Sequence, residues 1–279
     1  PIDSAKMIRL MTTNDIDTCL TEPMKNNDIK SLYIPTTAGT GAEATKSSVF
    51  YINEKDKMSI ANLDFLPDYV ILDSSLLNTL PLYQRKVTSL DALCHSIESY
   101  WSVKATDESR EYAKKGILGF FENKDGYINN TPDGNEGMLW ASYYGGKAIN
   151  ITGTTAAHAM CYNITMNCSV SHGHSVACDL SVIWEYMMKH LDKTNGGLTG
   201  KEIMKRFDEI GVLCGGKNAE DGLKIFNRVL SDFDLAFPKT DEKNIPLFVS
   251  KVDVTRLGNN PAKLDSDDLT AIYTEIFRR

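Results

Sequence analysis

The sequence predicts an α/β layer portion followed by an all-helical domain. Residues 1–79 mix short β-branched or aromatic runs with turn residues and one amphipathic stretch, the texture of an α/β layer. From Leu80 onward, apolar residues recur at i, i+3 or i+4, and i+7 almost without interruption, which is the helical period. The chain has 279 residues, 42% of them hydrophobic. That suffices for one large core or two modest ones.

In chain order, "IDSAKMIRLM" is amphipathic and predicts a helix. "SLYIP", "SSVFYIN" and "DYVILD" predict short strands, with the Gly/Thr loop "IPTTAGTGAEAT" after the first of them. The helical part then runs through "YQRKVTSLDALCHSIESYW", "ESREYAKKGILGFF", "EGMLWASYYGGKAI", "KEIMKRFDEIGVL", "AEDGLKIFNRVL" and "SDDLTAIYTEIF". "LTGKE", "NAED" and "LDSDD" offer polar N-caps followed by acidic first turns. No internal repeat and no low-complexity tract interrupts the pattern. The boundary is expected near residue 80, giving 1–79 and 80–279.

A formal net charge of −7 argues against a general binder of nucleic acid or of anionic membranes. It leaves room for one local basic pocket. No run of 18 apolar residues predicts a membrane span, and "PIDSAKMIRLM" does not read as a signal peptide. The cysteines at 19, 94, 161, 168, 178 and 214 lie singly in apolar segments with no CxxC pair. They read as reduced thiols of a cytoplasmic protein, mostly packing.

Chemistry concentrates in the histidines. Three of the five fall in "HAMCYNITMNCSVSHGH". In "DALCH", Asp91 and His95 stand at i and i+4, one turn apart on one helix face. His158 sits on another predicted helix, and the thirteen residues before His172 allow that helix to end, turn and return a second imidazole. One carboxylate and three imidazoles suit Fe²⁺ or Zn²⁺ rather than Mg²⁺ or Ca²⁺. Spacing alone leaves the ordinary reading open, in which buried histidines simply hydrogen-bond and Asp91 pairs with His95 along the helix. His174, two residues past His172, reads as a substrate contact or a support behind the ligands. The Gly/Thr loop allows a ligand to approach backbone closely and offers hydroxyls, yet it matches neither a G-x-G-x-x-G nor a Walker pattern.

Taken together, "IPTTAGTGAEAT", "PDYVILDSSLLNTLP", "LDALCHSIESYW" and "HAMCYNITMNCSVSHG" resemble the iron-containing (group III) alcohol dehydrogenases in order and spacing, from Pro1 to about Asn260. The resemblance implies a partial α/β dinucleotide-binding domain (1–79) and an all-α metal-binding catalytic domain (80–279), the dehydroquinate synthase-like fold. It implies a metal held by the residues matching Asp91, His95, His158 and His172, Fe²⁺ or Zn²⁺. It also implies a nicotinamide cofactor, NAD or NADP, contacted at Thr36, Thr37, Thr45, Lys57 and Leu76. Family members place a Gly-Gly-Gly-Ser phosphate loop before x-x-D-x-A-K. Here "PIDSAK" opens the sequence, so the front of that domain is expected to lie outside it. Where many members carry a second histidine one turn after the third ligand, this chain has Tyr162, the remaining catalytic candidate beside His174.

The implied reaction is hydride transfer between nicotinamide and a small aldehyde or primary alcohol. A homodimer or larger homo-oligomer is the expected assembly. "IESYWSVKATDES", "VSHGHSVA" and "RLGNNPAKLDSDDLTAIY" look like a branch that reduces phosphonoacetaldehyde to 2-hydroxyethylphosphonate. An anionic substrate needs a donor fork, for which Arg256 is the candidate together with His174. The alternatives are a dehydroquinate synthase-like lyase and an inactive metal-binding fragment of a dehydrogenase.

Overall fold

A computed structural model describes residues 1–15, 25, 27–52 and 56–279, with side chains of residues 51–58 not described. The N-terminal part begins with helix α1 (Ile2–Met11). Strand β1 (Leu32–Tyr33) pairs in parallel with β4 (Tyr69–Val70), Leu32 opposite Tyr69. Between them β2 (Ser47–Ile52) and β3 (Asp56–Ala61) form an antiparallel pair, Ser47 opposite Ala61. All three strands expected from the sequence are therefore present, though β1 and β4 are two residues each. α1 buries Met7 and Leu10 against Phe65, with Phe50 and Ile60 at the edge.

Helices then follow without a break in type: α2 (Leu82–Trp101), α3 (Asp107–Ile128), α4 (Pro132–Thr152), α5 (Ala156–Asn167), α6 (His172–Lys189), α7 (Gly200–Leu213), α8 (Ala219–Asp232), the short α9 (Ile245–Ser250) and α10 (Val254–Leu257), and α11 (Ser266–Arg278). Their starts follow local chemistry. Thr199, Asn218 and Asp265, the caps expected from the sequence, each accept backbone N–H bonds at the first turns of α7, α8 and α11. Each such cap satisfies donors the helix cannot satisfy itself. One large apolar core joins these helices around Trp101, Trp184 and Phe207.

α2 is the axis of the helical part, with nearly every residue from Val87 to Trp101 buried. The Gly/Thr loop lies on it: a Cβ at Gly39 would sit 2.8 Å from that of Thr88, so only glycine allows this approach. No helix among the described residues is long and apolar enough to cross a membrane. Cys94, Cys161, Cys178 and Cys214 are buried, whereas Cys168 is half-buried. Cys19 lies outside the described residues.

Candidate metal centre

Asp91 and His95 project from one stripe of α2, as their spacing requires. His158 stands near the start of α5, and His172 is the first residue of α6. The turn between those helices returns the chain so that the two imidazoles meet over Asp91. Gly173 makes this possible. A Cβ there would lie 2.0 Å from the carbonyl oxygen of Val87 and 3.1 Å from Cβ of Asp91. The glycine after His172 thus lets α6 start directly against α2.

Asp91 Oδ1 lies 3.3 Å from His158 Nε2, 3.7 Å from His172 Nε2 and 4.0 Å from His95 Nε2. Donor atoms of Asp91, His158 and His172 all fall within 4.8 Å of one another. Among the described residues no other group of three His, Cys, Asp or Glu does so. Four donors around one tetrahedral ion at about 2.0–2.2 Å are roughly 3.3–3.6 Å apart, so this spacing fits a transition-metal ion. His95 stands at the margin of the set, its ring stacked on that of His158 at 4.5 Å and 15°.

The electrostatics fit a cation. Burial would push the Asp91 carboxyl up, but the imidazoles of His95, His172 and His158 outweigh it and hold it well below the usual range. Burial lowers His95 to about 4, favouring the neutral, ligating form. For His158 burial opposes the charge, yet Glu98 and Asp91 raise it to about 8. Metal binding at His158 is therefore coupled to proton release.

Glu98 is the functional residue that sequence reasoning missed. It is fully buried, and its Oε2 accepts from Nδ1 of His158. Its Oε1 accepts from the N–H and hydroxyl of Thr155, at 3.1 and 2.7 Å, and from the N–H of Ala157 at 3.0 Å. One carboxylate thus caps α5 and fixes the tautomer of His158, leaving Nε2 toward Asp91, the usual arrangement behind a metal-bound imidazole. A signal was present: Asp91, His95 and Glu98 are polar residues at i, i+4 and i+7 on a buried helix.

The other candidates are placed as follows. The Tyr162 ring stacks on that of His172 at 5.6 Å and 11°. Arg256, on α10, lies over the opposite partner of that stack, 5.3 Å from the Tyr162 ring. It also bonds Asp253 Oδ2 at 3.1 Å and Thr154 Oγ1 at 2.9 Å. Its side chain is 19% exposed. His174 is not brought to the cluster. Its Nδ1 pairs with the Tyr83 hydroxyl at 3.2 Å and its Nε2 with the carbonyl of Ala236 at 2.8 Å, so both ring nitrogens are engaged.

In the Gly/Thr loop Thr36 is exposed, Thr37 half-buried and Thr45 buried. The hydroxyl of Thr45 accepts from Nζ of Lys6 at 3.1 Å. That ammonium, fully buried, also donates to the carbonyls of Ala42, Thr45 and Ser47 at 2.7, 2.8 and 2.7 Å. Lys6 therefore ties α1 to the loop. Leu76 is 40% exposed, on the segment leading to α2. Lys57 is a β3 residue whose side chain lies outside the described part.

A family model described as "Fe-containing alcohol dehydrogenase family, C-terminal" matches residues 86–277, and one described as "Iron-containing alcohol dehydrogenase" matches residues 1–74. The chain belongs to the iron-containing alcohol dehydrogenase family. The α/β-plus-helical architecture is that of the iron-containing alcohol dehydrogenases of known structure. A phosphonoacetaldehyde reductase from Streptomyces viridochromogenes is 26% identical over 252 residues, 88% of this chain and 64% of that protein. The chain spans about half to two thirds of the length of the first curated relatives it matches. An iron-containing alcohol dehydrogenase from Thermococcus thioreducens superposes with TM-score 0.89 at 20% identity, over 99% of this chain and 75% of that one. A sulfoacetaldehyde reductase from Bifidobacterium kashiwanohense, solved in complex with NAD⁺, gives 0.86 at 22% identity, over 99% and 73%. These likenesses establish the fold.

Proposed function

We propose that this chain carries the metal centre and part of the cofactor site of an NAD(P)-linked alcohol dehydrogenase working as a reductase of small aldehydes. The observation that carries the reading is the convergence of His158, His172 and His95 on one oxygen of buried Asp91. Asp91, His95, His158 and His172 would hold the ion, Fe²⁺ or Zn²⁺. Thr36, Thr37, Thr45, Lys57 and Leu76 would meet the nicotinamide cofactor, NAD or NADP. The domains divide near residue 80, the protein works in the cytoplasm, and it assembles as a homodimer or larger homo-oligomer.

When bound, the ion supplies Lewis acidity toward an aldehyde oxygen and the nicotinamide supplies the hydride. The protein's own residues do the rest. Asp91 sets the charge of the centre and Glu98 orients His158. Tyr162, its phenol pushed up by burial against the pull of Arg256, keeps its proton and walls His172. No side chain is required as a covalent nucleophile.

The substrate we propose is an anionic aldehyde of the phosphonoacetaldehyde type. Two relatives carry names of aldehydes bearing a phosphonate or sulfonate. The support within this chain is Arg256, a guanidinium one aromatic ring away from a metal ligand. A fork of N–H donors grips an oxyanion in two places. His174, with both nitrogens engaged, contributes to this site at most through Tyr83. The test compares kcat/KM for phosphonoacetaldehyde and propanal in the full-length enzyme. A preference of at least about tenfold, roughly 1.4 kcal/mol, should shrink in Arg256→Ala. Equal efficiencies would return the protein to unspecialised alcohol dehydrogenases.

A further inference from the structure

Of the imidazoles that face Asp91, His172 is the least constrained by packing: its side chain is 37% exposed, against 2% for His158. His158 is held from behind by a carboxylate. Behind His172 there is a thiol. Sγ of Cys161 lies 3.6 Å from His172 Nδ1 and 3.5 Å from the backbone carbonyl oxygen of His158. Cys161 itself is fully buried, and its carbonyl accepts from the hydroxyl of Ser175 at 3.1 Å. That bond ties α5 to α6 one turn beyond His172. Spacing along the chain had suggested only packing for this cysteine; the contact with His172 corrects that.

The two sulfur contacts constrain each other. A thiol has one proton to give, and a carbonyl oxygen can only accept. The Cys161 S–H is therefore directed to the carbonyl of His158. Toward His172 the sulfur is left as acceptor, so the proton on that imidazole sits on Nδ1. Its Nε2, 3.7 Å from Asp91 Oδ1, then carries the bare lone pair on the side of the centre. Meanwhile the Tyr162 ring, stacked at 11°, limits the plane in which His172 can lie.

We infer that Cys161 is a positioning residue for the metal centre: its thiol fixes the tautomer of His172 and aims Nε2 at the site. This rests on the metal reading above. Partners of this kind behind a ligand typically alter metal affinity by roughly 10–100-fold.

The experiment measures Zn²⁺ affinity of the wild type, Cys161→Ala and Cys161→Ser by competition with a chromophoric chelator. Serine keeps one donor and one acceptor at the same place; alanine keeps neither. The expected result is a loss of roughly 10–100-fold in Cys161→Ala, with Cys161→Ser within about threefold of wild type by the same hydrogen-bond count. An alanine variant that binds zinc like the wild type overturns the inference. So does a serine variant as weak as alanine, since volume and not hydrogen bonding would then be at work. Long-range ¹⁵N–¹H spectra of the histidine-labelled, zinc-loaded wild type decide the matter even where the alanine variant does not fold. A proton on Nδ1 of His172 supports the assignment, and a metallated Nδ1 overturns it. A wild type that takes up no zinc overturns the metal centre itself, and this inference with it.

Discussion

Around the candidate ligands, α2, α5 and α6 share one continuous apolar core, in which Glu98 backs His158 while both carboxylate oxygens of buried Asp179 on α6 have no hydrogen-bond partner among the described residues. In the α/β portion, by contrast, α1 packs Met7 and Leu10 against Phe65 in a small cluster separate from that core. The ammonium of Lys6 ties that portion to its loop, with carbonyl acceptors on three residues. The comparison separates two ways of fixing a functional residue. Asp91 and His95, the candidate ligands on α2, are placed by packing, so their geometry comes with the core. The Gly/Thr loop combines packing, with Ala38 in the helical core and Gly39 and Gly41 against Thr88 and Gly146, with the polar ties of Lys6.

The sharpest way to break this contrast is Glu98. Glu98→Ala leaves the donors at the start of α5 and Nδ1 of His158 without their acceptor, in a site with no exposure. Removing one partner of a buried charged pair costs about 3–5 kcal/mol. Urea unfolding of the metal-free protein should show a loss of that order, together with a fall in metal uptake. A loss under about 1 kcal/mol would mean that packing alone sets His158.

Lys6→Met probes the other region. It strips the loop of its ammonium and should destabilise by about 1–3 kcal/mol, the usual cost of buried acceptors left unpaired. Zinc content should stay at the wild-type level, because Lys6 touches none of the ligands. If metal were lost with it, the two regions would not be independently fixed.

The smallest effect concerns Glu43, buried in the same loop. Burial raises its carboxyl to about 7, with its own backbone bond and Lys6 pulling the other way. Its folded value exceeds the unfolded value of about 4.5, so the folded state holds the proton more tightly. Its stabilising contribution is present below pH 4.5 and is lost as pH rises toward 7. Glu43→Gln should flatten the stability profile over that window and leave stability near pH 4 nearly unchanged. An identical slope in both proteins would assign it to other groups.

Several features were legible along the chain because they are local. Helical periods, the caps at Thr199, Asn218 and Asp265, and the i, i+4 placement of Asp91 and His95 follow from backbone geometry over one or two turns. The H-x₁₃-H interval also implied a helix, a turn and a return. The family resemblance gathered these into a ligand set. Sequence by itself thus determined the helical character after residue 80 and which side chains could converge, while strand β3 (Asp56–Ala61) was not anticipated. Tertiary structure alone decided what stands behind them. Glu98 reaches His158 across sixty residues, Cys161 acquires its meaning only when α6 returns beside α5, and Arg256 arrives over Tyr162 from a short helix near the end of the chain. His174 shows the same limit from the other side, for its two hydrogen bonds turn it to Tyr83 and Ala236 although it follows a ligand by two residues. Orientation and tautomer are set by partners distant in sequence, because a hydrogen bond needs its acceptor within about 3 Å in space and no regular period in the chain encodes that distance.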